Sequence, residues 1–171
     1  MKTNGQQPYK TLILVRHAKS DWGNLSLSDF DRPLNERGLR DAPRMARHLV
    51  EKGITIDAFI ASPAKRAKKT AQIFAETYKR EKDEIIYHTA LYLAPPTVFF
   101  DVISNTDNRY NHIAVFSHNN GLTDFANLLT STRIDELPTC GIFAVSVATD
   151  NWANFTHADK HFLFCDYPKS I

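Results

Sequence analysis

Five short apolar, β-rich runs recur along the chain, at residues 11–15, 57–61, 84–88, 112–117 and 142–148. Most are separated by segments whose apolar positions return with helical period, and a further edge strand is predicted at 153–158. Residues 39, 42, 46, 49 and 50 place an apolar stripe on one side of a helix predicted over 36–52. Pro43 falls inside it, and a proline there removes a hydrogen bond and crowds the preceding turn. One helix kinked at Pro43 is expected; the alternative is a regular helix that begins only after Asp41 as its N-cap. A second helix is predicted from about Pro63 to about Lys79, with Ser62 as cap and Ala67, Ala71, Phe74, Ala75 and Tyr78 buried. A short helix over 96–104 follows, and another after Asn119-Asn120-Gly121, with Leu122, Phe125, Ala126 and Leu129 facing inward. Alternating strands and helices without repeats predict a three-layer α/β/α sandwich with a mostly parallel, mixed central sheet. The sheet is mixed because the last strands lack an intervening helix.

Composition narrows the classes without choosing among them. The 171 residues suffice for one domain, expected over 10–171 behind a flexible leader at 1–9. With 21 basic and 19 acidic residues, the net charge of +2 does not predict a nucleic-acid partner. Cys140 and Cys165 fit neither a disulfide scaffold nor a zinc site, and read as reduced thiols of a cytoplasmic protein. No apolar run is long enough to span a bilayer, and the leader lacks the apolar core of a signal peptide.

Chemistry concentrates at the strand ends. Val15 closes an apolar strand and is followed by Arg16-His17, a costly place for a guanidinium unless an anion or carboxylate pairs with it. An imidazole nitrogen can attack phosphorus directly, which splits hydrolysis into formation and breakdown of a phosphohistidine. Arg66 falls in the first turn of its helix, where backbone N–H groups and the helix dipole favour anions. Its neighbours Lys65, Lys68 and Lys69 read as a solvated basic face. His118 ends the strand at 112–117 and suits a second phosphate ligand, or alternatively a helix cap. A metal site built from His17, His112 and His118 lacks helical HxxxH spacing and a companion carboxylate, so no metal is expected.

Arg16-His17, then Ser62-Pro63-Ala64-Lys65-Arg66, then Phe116-Ser117-His118-Asn119, each after a strand, resemble the histidine phosphatase superfamily, also called phosphoglycerate-mutase-like. Asp31-Arg32-Pro33-Leu34-Asn35-Glu36-Arg37-Gly38 is similar to that family's segment leading into the first helix. Arg-His-Ala-Lys-Ser-Asp-Trp at 16–22 and Leu91-Tyr92 are most similar to the SixA phosphohistidine phosphatase branch. The resemblance implies His17 as nucleophile, with Arg16, Arg66 and His118 forming the phosphate pocket; Asn119, next to His118, is a further candidate binding residue or a cap of the helix that follows. It implies no cofactor. Ala18-Lys19 and Asn120 stand where larger members have Gly-Glu and proline, which argues against a phosphoglycerate mutase.

Larger members usually supply a carboxylic acid after the third strand, yet Tyr87 through Phe100 contain no Asp or Glu. An alkoxide leaving group needs a proton, and a general acid contributes roughly a hundred- to ten-thousandfold. A phosphohistidine releases an imidazole whose conjugate acid has a pKa of about 6.5, so it needs far less help. Asp21 is a candidate donor, though a turn-capping role is favoured for it, and His88 is a more remote one. About twenty residues join the third and fourth strands, too few for a lid subdomain. The expected activity is metal-independent removal of phosphate from phosphohistidine on a protein. Two alternatives stay open: a phosphatase of small phosphate esters and a noncatalytic phosphate-binding module.

Overall fold

The computed structural model describes residues 6–171. Of the leader expected over 1–9, residues 1–5 lie outside the described residues, and residues 6–9 are exposed and form no regular element. The chain then runs β1 (Lys10–Arg16), α1 (Glu36–Glu51), β2 (Ala58–Ala61), α2 (Lys65–Thr77) and β3 (Ile86–Tyr87). It continues through α3 (Pro96–Ser104), β4 (His112–Ser117), α4 (Gly121–Leu129), β5 (Ile142–Val147) and β6 (Lys160–Asp166). The strands form one sheet in the order β3-β2-β4-β1-β5-β6. The first four of these are mutually parallel, while β5 runs antiparallel to β1 and β6 antiparallel to β5.

Central strands are apolar throughout because both faces are covered. Leu12 and Leu14 of β1 point into a core with α3 and α4, where Phe99, Ile103, Leu122 and Phe125 are fully buried. Ile13 and Val15 point the opposite way, into a core with Met45, Leu49, Ala71 and Phe74 of α1 and α2. This is the three-layer α/β/α sandwich with a mixed sheet that the alternation predicts.

Several boundaries differ from expectation for identifiable reasons. The edge strand lies at Lys160–Asp166, not at 153–158. Trp152 and Phe155 are both fully buried and three residues apart, a helical spacing, so Trp152–Asn154 forms a 3-10 turn. The third strand shrinks to Ile86–Tyr87, because Lys82–Glu84 is a 3-10 turn in which the Glu84 carboxylate accepts from the Glu81 N–H at 2.6 Å. Helix α1 starts at an Asn35 cap, whose side chain accepts from Gly38 N–H at 2.9 Å, and it includes Pro43. Pro43 withholds a donor from the Leu39 carbonyl, and Leu39 is 48% exposed, so water can reach that turn. The buried stripe of α1 is therefore Gly38, Asp41, Ala42, Met45, Ala46 and Leu49; Leu39 and Val50 lie outside it. Helix α2 begins at Lys65 with Ala64 at its N-cap and no side-chain bond there; the expected cap, Ser62, lies two residues earlier, where its hydroxyl meets His118 and accepts from Ala64 N–H. Helix α3 lies at 96–104 as predicted, and α4 buries its four expected residues.

Residues 88–111, between β3 and β4, hold only a 3-10 turn and α3, and among the described residues no lid subdomain covers the C-terminal ends of β1, β2 and β4. Among the described residues, no helix is long and apolar enough to cross a membrane. The start of α4 is set by Gly121, where an added Cβ would overlap the Ala94 carbonyl oxygen. Backbone lies on both sides of that contact, so neither can yield easily. Gly121→Ala is expected to cost about 1–3 kcal/mol, as overpacking of a close contact does. The measurement is the urea unfolding midpoint; an unchanged midpoint would refute the close packing.

Candidate active site

The C-terminal ends of β1, β2 and β4 converge on a cleft of about 280 Å³. This is where an open α/β sheet places its ligands. Arg16, His17, Arg66, His118 and Asn119 all line it, together with Ser20, Trp22, Asp29 and Arg32. Backbone bonds fix the Arg-His pair: Arg16 N–H donates to Gly141 O at 3.1 Å, and His17 N–H to Ser117 O at 3.1 Å. The His17 carbonyl accepts from Cys140 N–H at 3.0 Å. Thr70, one turn after Arg66, accepts from Ala18 N–H at 3.0 Å and donates to the Arg66 carbonyl at 2.8 Å. The loop bearing His17 and the helix bearing Arg66 are thereby tied together.

Two contacts assign the His17 tautomer. Nδ1 lies 2.8 Å from the Ala18 carbonyl, which can only accept, and Nε2 lies 3.3 Å from the donating Nε of Arg66. The ring hydrogen therefore sits on Nδ1 and the lone pair on Nε2. Burial, with further contributions from Arg66, Arg16 and Arg32, pushes the His17 pKa down to about 3, although the Ala18 carbonyl favours the cation. His17 is neutral at physiological pH.

His118 is buried, with its ring centroid 5.2 Å from that of His17. Its Nε2 is 2.8 Å from the Ser62 hydroxyl, which accepts from Ala64 N–H at 3.3 Å. Ser62 donating to Nε2 satisfies both contacts and leaves the ring hydrogen on Nδ1. Among the described residues that Nδ1 is buried without a partner, as is Nε of Arg16. Burial, then the neighbouring His17, Arg66 and Arg16, lowers the His118 pKa to about 2. Uncommitted buried donors are rare in folded proteins and are characteristic of binding sites.

Both expected arginines are held by carboxylates. Arg66 donates through Nη1 to the Asp29 carbonyl at 2.6 Å and through Nη2 to its carboxylate at 2.9 Å. Arg16 donates through Nη1 to Glu136 at 3.0 Å and to the Leu137 carbonyl at 2.9 Å. Asp29 also accepts from Tyr92 Oη at 2.6 Å and from Arg32 Nη2 at 3.0 Å. Burial opposes its ionisation, but hydrogen bonds from Tyr92, Arg32 and Arg66 outweigh burial and hold the carboxyl well below the usual range. Arg32 is itself buried, bonded to Ser20 Oγ at 2.6 Å, and its guanidinium sits 3.5 Å from the Trp22 ring centroid.

Asp21 is placed elsewhere: its carboxylate accepts from Gly23 N–H at 2.7 Å in a local turn, outside the cleft lining, as is His88. Asn119 lines the cleft, but its side chain donates to Leu137 O at 3.1 Å and accepts from Thr123 Oγ1 at 2.8 Å, so its amide is committed within the protein. His112 opens β4 while His118 follows its last residue, so the strand separates the two by roughly 20 Å. Among the described residues no group of three or more His, Cys, Asp or Glu could hold a metal ion. Sequence reasoning missed Asp29, Arg32, Tyr92 and Glu136. Arg32 lies between Asp31 and Pro33 with Glu36-Arg37 close behind, so its charge did not stand out locally, and Glu136 carries no local signal.

Residues 12–91 match the model of the histidine phosphatase superfamily (branch 1). The match takes in Arg16, His17, Asp29, Arg32 and Arg66. The fold extends the likeness over the second half: the protein histidine phosphatase SixA, solved with tungstate, superposes with a TM-score of 0.78 at 18% identity, over 93% of this chain and 97% of that one. Over residues 12–91, just under half of the chain, the sequence is similar to the histidine phosphatase superfamily, and the fold is similar to that of SixA over nearly the whole length. An uncharacterised chloroplastic protein of Arabidopsis thaliana is 28% identical over 151 residues, 84% of this chain and 69% of that protein. The 2,3-bisphosphoglycerate-dependent phosphoglycerate mutase of Thermoplasma acidophilum is 43% identical over 75 residues, 42% of this chain. The chain aligns with only 36% of that mutase's length.

The depressed imidazole pKa values have a consequence for stability. Above about pH 6.5 neither the folded nor the unfolded chain protonates these rings. From there down toward about 3, the unfolded chain takes up protons at His17 and His118 that the folded chain does not, so stability is lost as pH falls. Urea midpoints at pH 7.5 and 5.0 test this. His17→Gln is expected to show a smaller drop between the two than wild type; an equal drop would refute the neutral, buried imidazole.

Proposed function

We propose that this chain is a phosphohydrolase that works through a phosphohistidine on His17, acts preferentially on phosphohistidine carried by a protein, and needs no metal. The observation that carries the proposal is the His17 imidazole: neutral, with Nδ1–H committed to the Ala18 carbonyl and the Nε2 lone pair, met by Arg66 Nε at 3.3 Å, serving as nucleophile once Arg66 turns to the phosphoryl group. Nε2 attacks phosphorus, the P–Nε2 bond forms, and the bond to the leaving group breaks with its electron pair. The Ala18 carbonyl stabilises the imidazolium character that develops on the ring. Arg16 and Arg66 neutralise the phosphoryl oxygens, and His118 donates from Nδ1. Water then breaks the P–Nε2 bond, releasing orthophosphate and restoring neutral His17.

Substrate preference rests on the proton inventory. The acid-free stretch 87–100 brings Tyr92 and Leu93 to the site, and Tyr92 donates to Asp29. Asp29 is held as a carboxylate and has no proton to give at neutral pH. Glu136 is paired with Arg16, and Asp21 is turned into its own loop. An easily released imidazole suits such a site better than an alkoxide. The solved SixA is named a protein histidine phosphatase, and its tungstate is an oxyanion, which supports the same reading.

Turnover of a phosphohistidine peptide and of a phosphomonoester panel, each with chelator present, tests the proposal. The P–N substrate is expected to turn over faster and unaffected by chelation, with acid-labile label on wild type and none on His17→Ala. His118→Ala is expected to lower kcat by about a hundred- to a thousandfold, as loss of one preorganised donor does. Efficient phosphomonoester turnover would overturn the substrate preference, loss of activity on chelation the metal independence, and binding without turnover the enzyme itself.

A further inference from the structure

Beside the catalytic cleft lies a second groove, of about 400 Å³, between the start of α1 and one face of α2. Lys65, Lys68, Lys69 and Gln72 line it from α2, at i, i+3, i+4 and i+7, and therefore on one side of that helix. Pro33, Leu34 and Leu39 form the opposite wall, with Leu39 half exposed. The groove adjoins the cleft through chain neighbours: Lys65 precedes Arg66, and Pro33 follows Arg32.

The charge on this face is unbalanced. All three lysines are exposed, and among the described residues none forms an ion pair; Lys68 Nζ only approaches the Tyr87 ring, at 5.4 Å. Like charges at i, i+3 and i+4 repel, so this stripe costs helix stability when left alone. Lys19, half-buried in the cleft lining, adds a further cation on the same side. Trp22, at 66% exposure, and Leu93, at 54%, carry apolar surface around the cleft mouth. Cations around an apolar groove are complementary to a protein surface with acidic side chains around an apolar residue. The near-neutral chain as a whole offers no broad basic field of the kind that holds a nucleic acid.

We infer that the Lys65–Lys68–Lys69 face and the Leu39 groove dock an acidic surface of the phosphorylated protein, next to its phosphohistidine. The inference rests on the proposed phosphohistidine activity and names the kind of protein that presents that group. An uncovered cleft lets a protein-borne imidazole approach His17, while the groove beside it supplies the contacts that a cleft of this size lacks.

Two chemically phosphorylated histidine peptides of equal length test it, one flanked by Asp and Glu with a central Leu, the other by Gln and Ser. Phosphoramidate serves as the small P–N substrate. In wild type, kcat/KM is expected to be on the order of tenfold higher for the acidic peptide, from three exposed pairs of about a factor of two each, and the advantage should vanish in 0.5 M salt, where the screening length is roughly 4 Å. Lys65→Gln/Lys68→Gln/Lys69→Gln is expected to remove the advantage and leave phosphoramidate turnover unchanged, and Leu39→Ser to weaken it. Equal turnover of the two peptides by wild type, or an advantage that survives the triple substitution, would overturn the docking face. So would an equal loss on phosphoramidate, which would put the lysines in the phosphoryl site, or binding of a single-stranded RNA but not of the acidic peptide. Failure of wild type on phosphoramidate as well as both peptides would instead remove the underlying activity, and the docking face with it.

Discussion

The Nδ1–H of His17 on the carbonyl of Ala18 is the contact on which the rest of this site depends. An imidazole free to rotate could offer either nitrogen. One whose Nδ1–H is held by an adjacent carbonyl offers only Nε2. That geometry exists because His17 lies just beyond a fully buried strand, with its N–H taken by Ser117 and its carbonyl by Cys140. The sheet thus does more than bring the histidine to the cleft: it sets the tautomer. Burial among arginines then keeps the ring neutral.

A second constraint follows from placing three guanidinium groups around that ring. Arg16, Arg32 and Arg66 line a cleft of about 280 Å³, and their mutual repulsion needs compensation inside the fold. Asp29 provides it for Arg32 and Arg66, and Glu136 for Arg16. These carboxylates orient the cations but also occupy donors that the proposed reaction needs, so in that reaction the phosphoryl group would exchange partners with them. Among the described residues Arg16 Nε and His118 Nδ1 remain uncommitted and need no such exchange. The same pairing removes Asp29 from the set of proton donors, which links the electrostatics of the paired arginines to the proposed choice of leaving group.

Much of this was legible in the chain itself. Arg16, His17 and His118 were readable because each follows an apolar run long enough to be a buried strand, and Arg66 because it opens a helix after one. Helices α3 and α4 were readable from their period. What escaped depends on contacts distant in sequence. Asp29 reaches Arg66 across 37 positions and Glu136 reaches Arg16 across 120, distances over which no local pattern carries information. Ser62 looked like a helix cap because its local context is that of one, and only the fold turns its hydroxyl toward His118. The strand expected at 153–158 failed for a local reason: Trp152 and Phe155 are β-formers by type, but their spacing belongs to a helical turn.

The central claim is that His17 presents Nε2, and only Nε2, to phosphorus. Trapping the acid-labile phosphoenzyme of ¹⁵N-histidine-labelled protein, and locating the phosphoryl group by phosphorus–nitrogen coupling, measures this directly. A phosphoryl group on Nε2 of His17, with Nδ1 still protonated, is the predicted result. Phosphorylation of Nδ1, or of another histidine, would contradict the account.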